Sequence, residues 1–256
     1  MTVRVLGIGA VGGFGCGAEN LGLAPGEPGT LTLPWGEGTR GIPAFRADTT
    51  PLERFVERKA LRRVDHFSRM ALLGAHLALE DAGRTPEGLA LVVASGFGPT
   101  GTTFSLIDSM MRDGDACTSP IHFAGSLHNT PAAHIGIFLG ITGPCLTLSR
   151  FEGLVPSALT AARLLLAEGR AERVLVGVVD EFSELMGYLW ARGESRPVAG
   201  EGAAFLLLSA REEDGPGACA LEEAEAAAGP WPWGAMPGAQ AFAIAAAAAR
   251  IRSSRR

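Results

Sequence analysis

The chain has 256 residues, of which 47% are hydrophobic and 19% charged, and its formal net charge is -5 at pH 7. This length suits one large or two small globular domains, and the excess of acidic residues argues against a nucleic-acid-binding protein. No apolar run approaches the roughly 20 residues that a membrane-spanning helix needs. The 4 cysteines form no Cys-x-x-Cys pair of the kind that indicates a zinc site. We therefore expect a cytoplasmic protein with no membrane contact, no nucleic-acid partner, no metal and no other cofactor.

The chain opens with an apolar run, residues 3–8, that leads into a glycine-rich stretch. Gly7, Gly9 and Gly12 have the spacing of a dinucleotide-binding loop. That loop needs a helix to begin at its last glycine, so that the helix amides can bind a pyrophosphate, but Gly- and Pro-rich sequence continues here to about Pro51. We predict a strand that enters a turn, and no nucleotide site.

After Pro51 the sequence alternates between helical and strand patterns. Helices are predicted where apolar residues recur at helical spacing, at residues 67–82, 102–111, 130–139 and 156–168. Buried strands are predicted where apolar runs are continuous, at residues 89–94, 145–149, 174–179 and 202–208. Residues 218–227 could form a return strand, and the chain ends in a helical or frayed basic segment from Gln240. This alternation predicts an α/β fold with a mostly parallel sheet and helices on both faces.

Four motifs occur in a distinctive order along the chain. They are Ser95-Gly-Phe-Gly, His128-Asn-Thr-Pro-Ala-Ala-His, Gly143-Pro-Cys-Leu-Thr-Leu-Ser-Arg-Phe-Glu152 and Gly200-Glu-Gly-Ala-Ala-Phe-Leu-Leu-Leu-Ser209. The ordered set resembles the N-terminal half of a β-ketoacyl synthase of the thiolase-like superfamily, over roughly residues 3–210. The resemblance implies a thiolase-like fold with a mostly parallel five-stranded sheet, a synthase-like domain over residues 1–210 and an extension over residues 211–256.

Two departures from the family pattern bear on function. Glu152 stands where the family carries its nucleophilic cysteine, and a carboxylate cannot act as an ordinary acyl-thioester carrier. The second half of a full synthase, which supplies two catalytic histidines, has no counterpart in this sequence. Glu152 would lie at a helix N-terminus, where we expect it to fill the vacated site and bind the free backbone amides.

This combination resembles the ketosynthase-like subunits called chain length factors. The resemblance implies a non-catalytic subunit that forms a heterodimer with a complete ketosynthase, acts on chains held by acyl carrier protein and shapes the acyl tunnel in polyketide, polyene or fatty-acid-like biosynthesis. The candidate tunnel or interface residues are Phe104, Ile107, Met110, Met111, Asn129 and Trp190. For the apolar residues of this set the alternative is ordinary core packing, and for Asn129 it is the satisfaction of buried backbone groups.

Two other functions stay open on the sequence. One is a stand-alone malonyl-thioester decarboxylase or hydrolase that uses Glu152, and the other is a homodimeric acyl-binding module without chemistry. Cys145 is interpreted as a buried structural cysteine rather than a displaced nucleophile. His122, His128 and His134 recur every six residues, which does not place them on one helix face as a metal site would require.

Overall fold

A computed structural model describes residues 2–114, 116, 118–193, 197–211 and 218–255 of the chain. Ten strands are found in this part: β1 (Arg4–Gly12), β2 (Gly15–Cys16), β3 (Gly29–Trp35), β4 (Gly38–Phe45), β5 (Leu89–Ser95), β6 (Cys145–Ser149), β7 (Arg173–Asp180), β8 (Ala199–Gly200), β9 (Gly202–Ser209) and β10 (Cys219–Ala220). The helices are α1 (His66–Ala82), α2 (Thr100–Asp113), α3 (Pro120–Gly125), α4 (Thr130–Leu139), α5 (Leu154–Ala167), α6 (Glu184–Ala191), α7 (Leu221–Ala226) and α8 (Ala239–Ser254). Within the described residues, no helix is both long and apolar enough to cross a membrane.

The main sheet has the strand order β10-β1-β9-β7-β5-β6, and β2 pairs with β1. The pairs β5–β6 and β5–β7 are parallel, whereas β7–β9, β1–β9 and β1–β10 are antiparallel. The α/β fold is confirmed, but the sheet has more strands than the five expected and is mixed in direction. A continuous apolar run shows that a strand is buried on both faces, and it does not show the direction of the neighbouring strand.

Helices cover both faces of this sheet. One hydrophobic cluster joins the sheet to α1 and α4, and a second joins the opposite face to α5, α7 and α8. Two glycines of β1 explain how closely α1 approaches the sheet, because a Cβ atom on Gly7 or Gly9 would lie about 2 Å from the backbone oxygen of Ala78 or Gly74. The glycine spacing at the N-terminus therefore serves helix–strand packing.

A second, three-stranded sheet has the order β3-β4-β8 and packs on α6 through a small hydrophobic cluster. No structure is predicted from the sequence for residues 29–45. Most of β3 is exposed, with Leu33 as its buried residue, so the strand shows no apolar pattern that could be recognised in advance.

The C-terminal part of the chain folds against the main sheet. Of the return strand expected at 218–227, Cys219 and Ala220 pair with β1, and α7 follows. Of the two alternatives for the segment from Gln240, the structure has the helical one: α8 extends to Ser254, so the described part of the basic tail is not frayed, and residues 241–248 are buried. Arg252 forms an ion pair of 2.5 Å with Asp81 of α1. Residues 212–217 and 256 of the predicted extension lie outside the described residues.

Candidate functional site

The carboxyl ends of β5, β6 and β7 meet at one edge of the main sheet, since these three strands are parallel. Asp180, the last residue of β7, is completely buried there. One of its carboxylate oxygens accepts hydrogen bonds from Ser95 Oγ (3.0 Å), Gly96 N (2.8 Å) and Phe97 N (3.3 Å), and the other from Gly238 N (2.9 Å). Burial raises the pKa of Asp180 to about 6, against the lowering effect of these hydrogen bonds. Asp180 thus connects the turn after β5 to the start of α8.

We predict that Asp180→Asn destabilises the protein. All four partners of the carboxylate are donors, so an amide NH₂ group at this position would face other N–H or O–H groups. The expected loss is about 2 to 3 kcal/mol of unfolding free energy, measured by urea denaturation at pH 7. Glu184→Gln, at an exposed position on α6, is the control. A stability of Asp180→Asn equal to that of the control would contradict the prediction.

Glu152, the residue at the expected nucleophile position, is exposed just beyond β6. The N-cap of α5 is Gly153 in a left-handed conformation (φ 63°), with no side-chain capping bond. Among the described residues, the Glu152 side chain has no hydrogen-bond or ion-pair partner. The expectation that it binds the amides of the α5 N-terminus is therefore wrong, because the turn at Gly153 leaves the carboxylate in solvent. Phe151 beside it is 74% exposed and contacts Phe97, with 5.7 Å between ring centroids.

Strand β6 is an edge strand, and in the described part of the chain it pairs with β5 alone. Both Cys145 and Leu146 are exposed, so the prediction of a buried strand and a buried Cys145 is wrong. An apolar run indicates burial, but it cannot tell whether the covering surface belongs to the same chain. The remaining partial burial raises the pKa of the Cys145 thiol, which makes it a weaker nucleophile at neutral pH.

Large apolar side chains are exposed on α2 and α3, which contact each other, on α4 and β6, which contact each other, and in the segments that follow α3 and β6. We call this set the exposed apolar face; it comprises Ile107, Met110, Met111, Ile121, Phe123, Leu127, Ile137, Leu146 and Phe151. The most exposed are Met111 (82%) and Ile137 (76%). Monomeric proteins seldom expose so many large apolar residues close together, and such faces usually mark interaction sites.

The candidate tunnel residues occupy different environments. Ile107, Met110 and Met111 belong to the exposed apolar face, so core packing does not explain them, while Phe104 is half-buried. Asn129 is exposed at the N-terminus of α4, where its side chain makes no capping bond.

Trp190 lies on α6, a helix that contacts α2. It packs edge-on against Phe182, and its indole N–H donates to the carbonyl oxygen of Pro197 (2.9 Å). The neighbouring Tyr188 stacks on Trp35 of β3.

A second polar cluster lies where α1 meets the main sheet, and its centre is Glu201, which is 1% exposed. The Glu201 carboxylate accepts hydrogen bonds from Arg46 Nε (2.9 Å), the Ala47 amide (3.0 Å) and the Phe182 amide (3.0 Å), and it lies 2.9 Å from His66 Nε2. Burial alone would raise the pKa of Glu201, but His66 and Arg46 lower it overall. Burial would lower the pKa of His66, but the hydrogen bond and charge of Glu201 raise it overall.

A cavity of about 320 Å³ opens next to this cluster, between α2, α3 and the start of α1. Glu181, which is 8% exposed, lines it and accepts hydrogen bonds from the Gly101 amide (2.5 Å) and the Thr100 hydroxyl (3.3 Å). Burial raises the pKa of Glu181 to about 7. Arg62 and Arg63 line the mouth of the cavity, and together with Arg58 and Lys59 they make a basic patch on the surface.

The motifs of the sequence do not identify Asp180, Glu181 or Glu201 as site residues. A usable signal exists, because each acid directly adjoins a continuous apolar strand, where an isolated charge is rarely placed without a partner. His122, His128 and His134 lie on or near α3 and α4. In the described residues no group of three His, Cys, Asp or Glu side chains is placed to hold a metal ion.

The mixed sheet lies between two helical layers, its edge strand β6 leads into α5, and the fold is the thiolase-like one of solved ketosynthase structures. The family model described as the N-terminal domain of β-ketoacyl synthases matches residues 38–214. Because this match covers more than half of the chain, the chain belongs to the β-ketoacyl synthase family.

Known proteins that resemble this chain have low sequence identity to it but similar structures. Nodulation protein E of Rhizobium meliloti (strain 1021) is 26% identical over 195 residues, which is 68% of this chain and 48% of that protein. The structure of the ishigamide ketosynthase/chain length factor superposes with a TM-score of 0.68 at 21% identity, over 83% of this chain and 63% of the other. A type II polyketide ketosynthase bound to the hexaketide and in complex with its acyl-carrier protein gives 0.61 at 18% identity, over 82% and 64%. The chain thus spans about half of the curated relative and less than two thirds of these solved chains.

Proposed function

We propose that this protein is a non-catalytic, chain-length-factor-like subunit that pairs with a complete β-ketoacyl synthase in the cytoplasm and shapes the tunnel for the growing acyl chain. The observation that carries the proposal is the exposed apolar face on α2, α3, α4 and β6. A surface of that composition is costly in water, and a partner of matching shape would bury it.

The residue at the nucleophile position supports a non-catalytic role. Condensation requires a thiolate that accepts the acyl group, and a helix N-terminus normally lowers the pKa of such a thiol. Glu152 offers a solvated carboxylate, and a mixed anhydride formed on it would hydrolyse far more readily than a thioester. Cys145, seven positions earlier on the edge strand, has a raised pKa and does not replace the missing nucleophile.

The geometry of β6 supports pairing with another subunit. The free edge of a strand presents unpaired N–H and C=O groups, which a strand of a partner can bind in register. Leu146 on β6 and Phe151 just after it extend the apolar surface from this edge.

Within this interface we assign Phe104, Ile107, Met110 and Met111 to the tunnel wall. Methionine side chains are flexible and polarizable, so two of them at the end of α2 would adapt to acyl chains of different shape. Asn129 lies at the border of the same surface. For Trp190 the contacts with Phe182 and Pro197 favour a packing role next to the tunnel.

Acyl carrier protein is the second partner that we propose. Arg58, Lys59, Arg62 and Arg63 are exposed within six residues of one another, and within the described part of the chain Arg58 alone of them has an ion pair, with Glu53 at 3.5 Å. Such a basic patch attracts an acidic carrier surface and increases its rate of association.

Co-expression with a complete ketosynthase encoded beside this chain tests the proposal. The expected result is a 1:1 complex in native mass spectrometry, and Phe104 or Met110 variants of that complex should change the length of the product. A failure of this chain to bind any such ketosynthase would contradict the proposal.

We predict that Glu152→Ala has no effect on stability and none on the activity of the complex. The side chain has no partner among the described residues, so its loss should change the unfolding free energy by no more than about 0.5 kcal/mol. The same variant tests the alternative of a stand-alone decarboxylase or hydrolase. Turnover of malonyl or acyl thioesters by the purified chain, abolished in Glu152→Ala, would establish that alternative and exclude the non-catalytic role.

A further inference from the structure

The cavity between α2, α3 and the start of α1 separates opposite charges along its depth. The buried carboxyl group of Glu181 and the half-buried one of Asp65 lie on its inner wall, while the exposed guanidinium groups of Arg62 and Arg63 lie at its mouth. The nearby Glu201 and His66 satisfy each other's charge. The cavity therefore presents acidic groups inside and two cationic groups outside.

Glu181 lacks a hydrogen-bond donor on one side. Both of its hydrogen bonds go to Oε1, and among the described residues Oε2 has no partner, although the side chain is 8% exposed. This oxygen is accessible in the wall of the cavity, so it is free to accept hydrogen bonds from a ligand that enters. Asp65, by contrast, already accepts two hydrogen bonds from Ser68 at the start of α1.

The charges in the cavity indicate which ligand group would donate hydrogen bonds to Glu181. An ammonium group brings three N–H donors and a compensating charge to the inner carboxyl groups. The arginines at the mouth would repel a simple amine but would bind a carboxylate through charge-assisted hydrogen bonds. The volume of about 320 Å³ lies at the small end of ligand pockets. We infer that this cavity binds a small zwitterion of the amino-acid type, with its ammonium group at Glu181 and its carboxylate at Arg62 and Arg63.

This site borders the surface proposed above for subunit pairing, since Ile121 belongs to both, and ligand binding there has its own pH dependence. The titratable or charged groups that face Glu181 from the surrounding elements are Asp65, His66, Glu201, Arg62, Arg63 and His122. Since the pKa of Glu181 is raised to about 7, the ionised form that binds an ammonium group becomes more populated from pH 6 to pH 8. Affinity should therefore increase over this range and binding should release protons.

Titration calorimetry and ligand-observed NMR on the full chain can test this with three probes. L-valine carries both charges, whereas isobutylamine lacks the carboxylate and isovalerate lacks the ammonium group. We expect valine to bind at least about 10-fold more tightly than either analogue, and Glu181→Gln and Arg62→Ala each to weaken valine binding about 10-fold or more. Glu184→Gln, at an exposed position on α6, should bind valine like the wild type.

Three outcomes would overturn the inference. If isovalerate binds as tightly as valine and Glu181→Gln does not change its affinity, the surface arginines alone bind the anion and Glu181 has no role. Equal binding of isobutylamine, unaffected by Arg62→Ala, would remove the carboxylate contact. Absence of valine binding to the folded wild-type chain would remove the site. Circular dichroism of Glu181→Gln verifies its fold, and Glu181→Asp, which retains the charge on a shorter side chain, should bind valine more weakly than the wild type.

Discussion

Replacing Phe123 and Leu146 together by aspartate should abolish the complex with the ketosynthase while the subunit itself stays folded. Both side chains are exposed, at 57% and 40%, so the isolated chain loses little packing. In the complex that we propose, the two carboxylates would be buried without partners, which costs several kcal/mol. We expect the affinity to fall by at least about a hundredfold. Native mass spectrometry and gel filtration of co-expressed subunits measure the change.

A matched control for this double variant is Leu23→Asp. Leu23 is 51% exposed and follows a 3₁₀ turn, Ala18–Gly22, that contacts β1 and α8. In the main sheet, β1 is separated from the edge strand β6 by β9, β7 and β5. This variant should assemble like the wild type. If the double variant still forms the complex, the partner binds elsewhere and the exposed apolar face does not have the role we propose.

The sequence is informative where an apolar pattern is long. The helix predicted at 102–111 is α2, Thr100–Asp113, and the helix predicted at 156–168 is α5, Leu154–Ala167. In both cases the helical spacing of the apolar residues predicts the helix correctly, and the predicted ends differ from the observed ones by two residues or fewer. Strand β6 has an equally clear pattern but is not part of the core, because the apolar residues of an exposed edge strand look the same in sequence as those buried within a chain.

The polar clusters could not be predicted, because their members are far apart in sequence. Glu201 is 155 residues from Arg46 and 135 residues from His66, and Asp180 is 85 residues from Ser95. No spacing rule connects such residues, and their pKa values depend on burial that the folded sheet creates. The resemblance to ketosynthases identifies the position of Glu152, but not its exposure, which depends on the left-handed turn at Gly153.

Glu201→Gln should destabilise the protein at least as much as Asp180→Asn does. The buried carboxylate accepts hydrogen bonds from Arg46 and two backbone amides and pairs with His66, so it joins β4, α1, β7 and β9. A glutamine retains one acceptor oxygen and brings an NH₂ group towards donors. In the variant, Arg46 can be hydrated again, which limits the destabilisation. We therefore expect the unfolding free energy to fall by about 3 kcal/mol and the Tm by about 6 to 12 °C.

The pH dependence of this loss separates the ion pair from simple packing. The lowered pKa of Glu201 stabilises the fold above its ordinary value of 4.5, and this contribution disappears as the pH falls. The raised pKa of His66 stabilises the fold below its ordinary value of 6.5, and this contribution disappears as the pH rises through the folded pKa. The difference in unfolding free energy between wild type and Glu201→Gln should therefore be greatest between about pH 4.5 and 6.5. A difference that stays constant from pH 4 to pH 9 would mean that Glu201 acts through shape and neutral hydrogen bonds, and that its pairing with His66 contributes nothing.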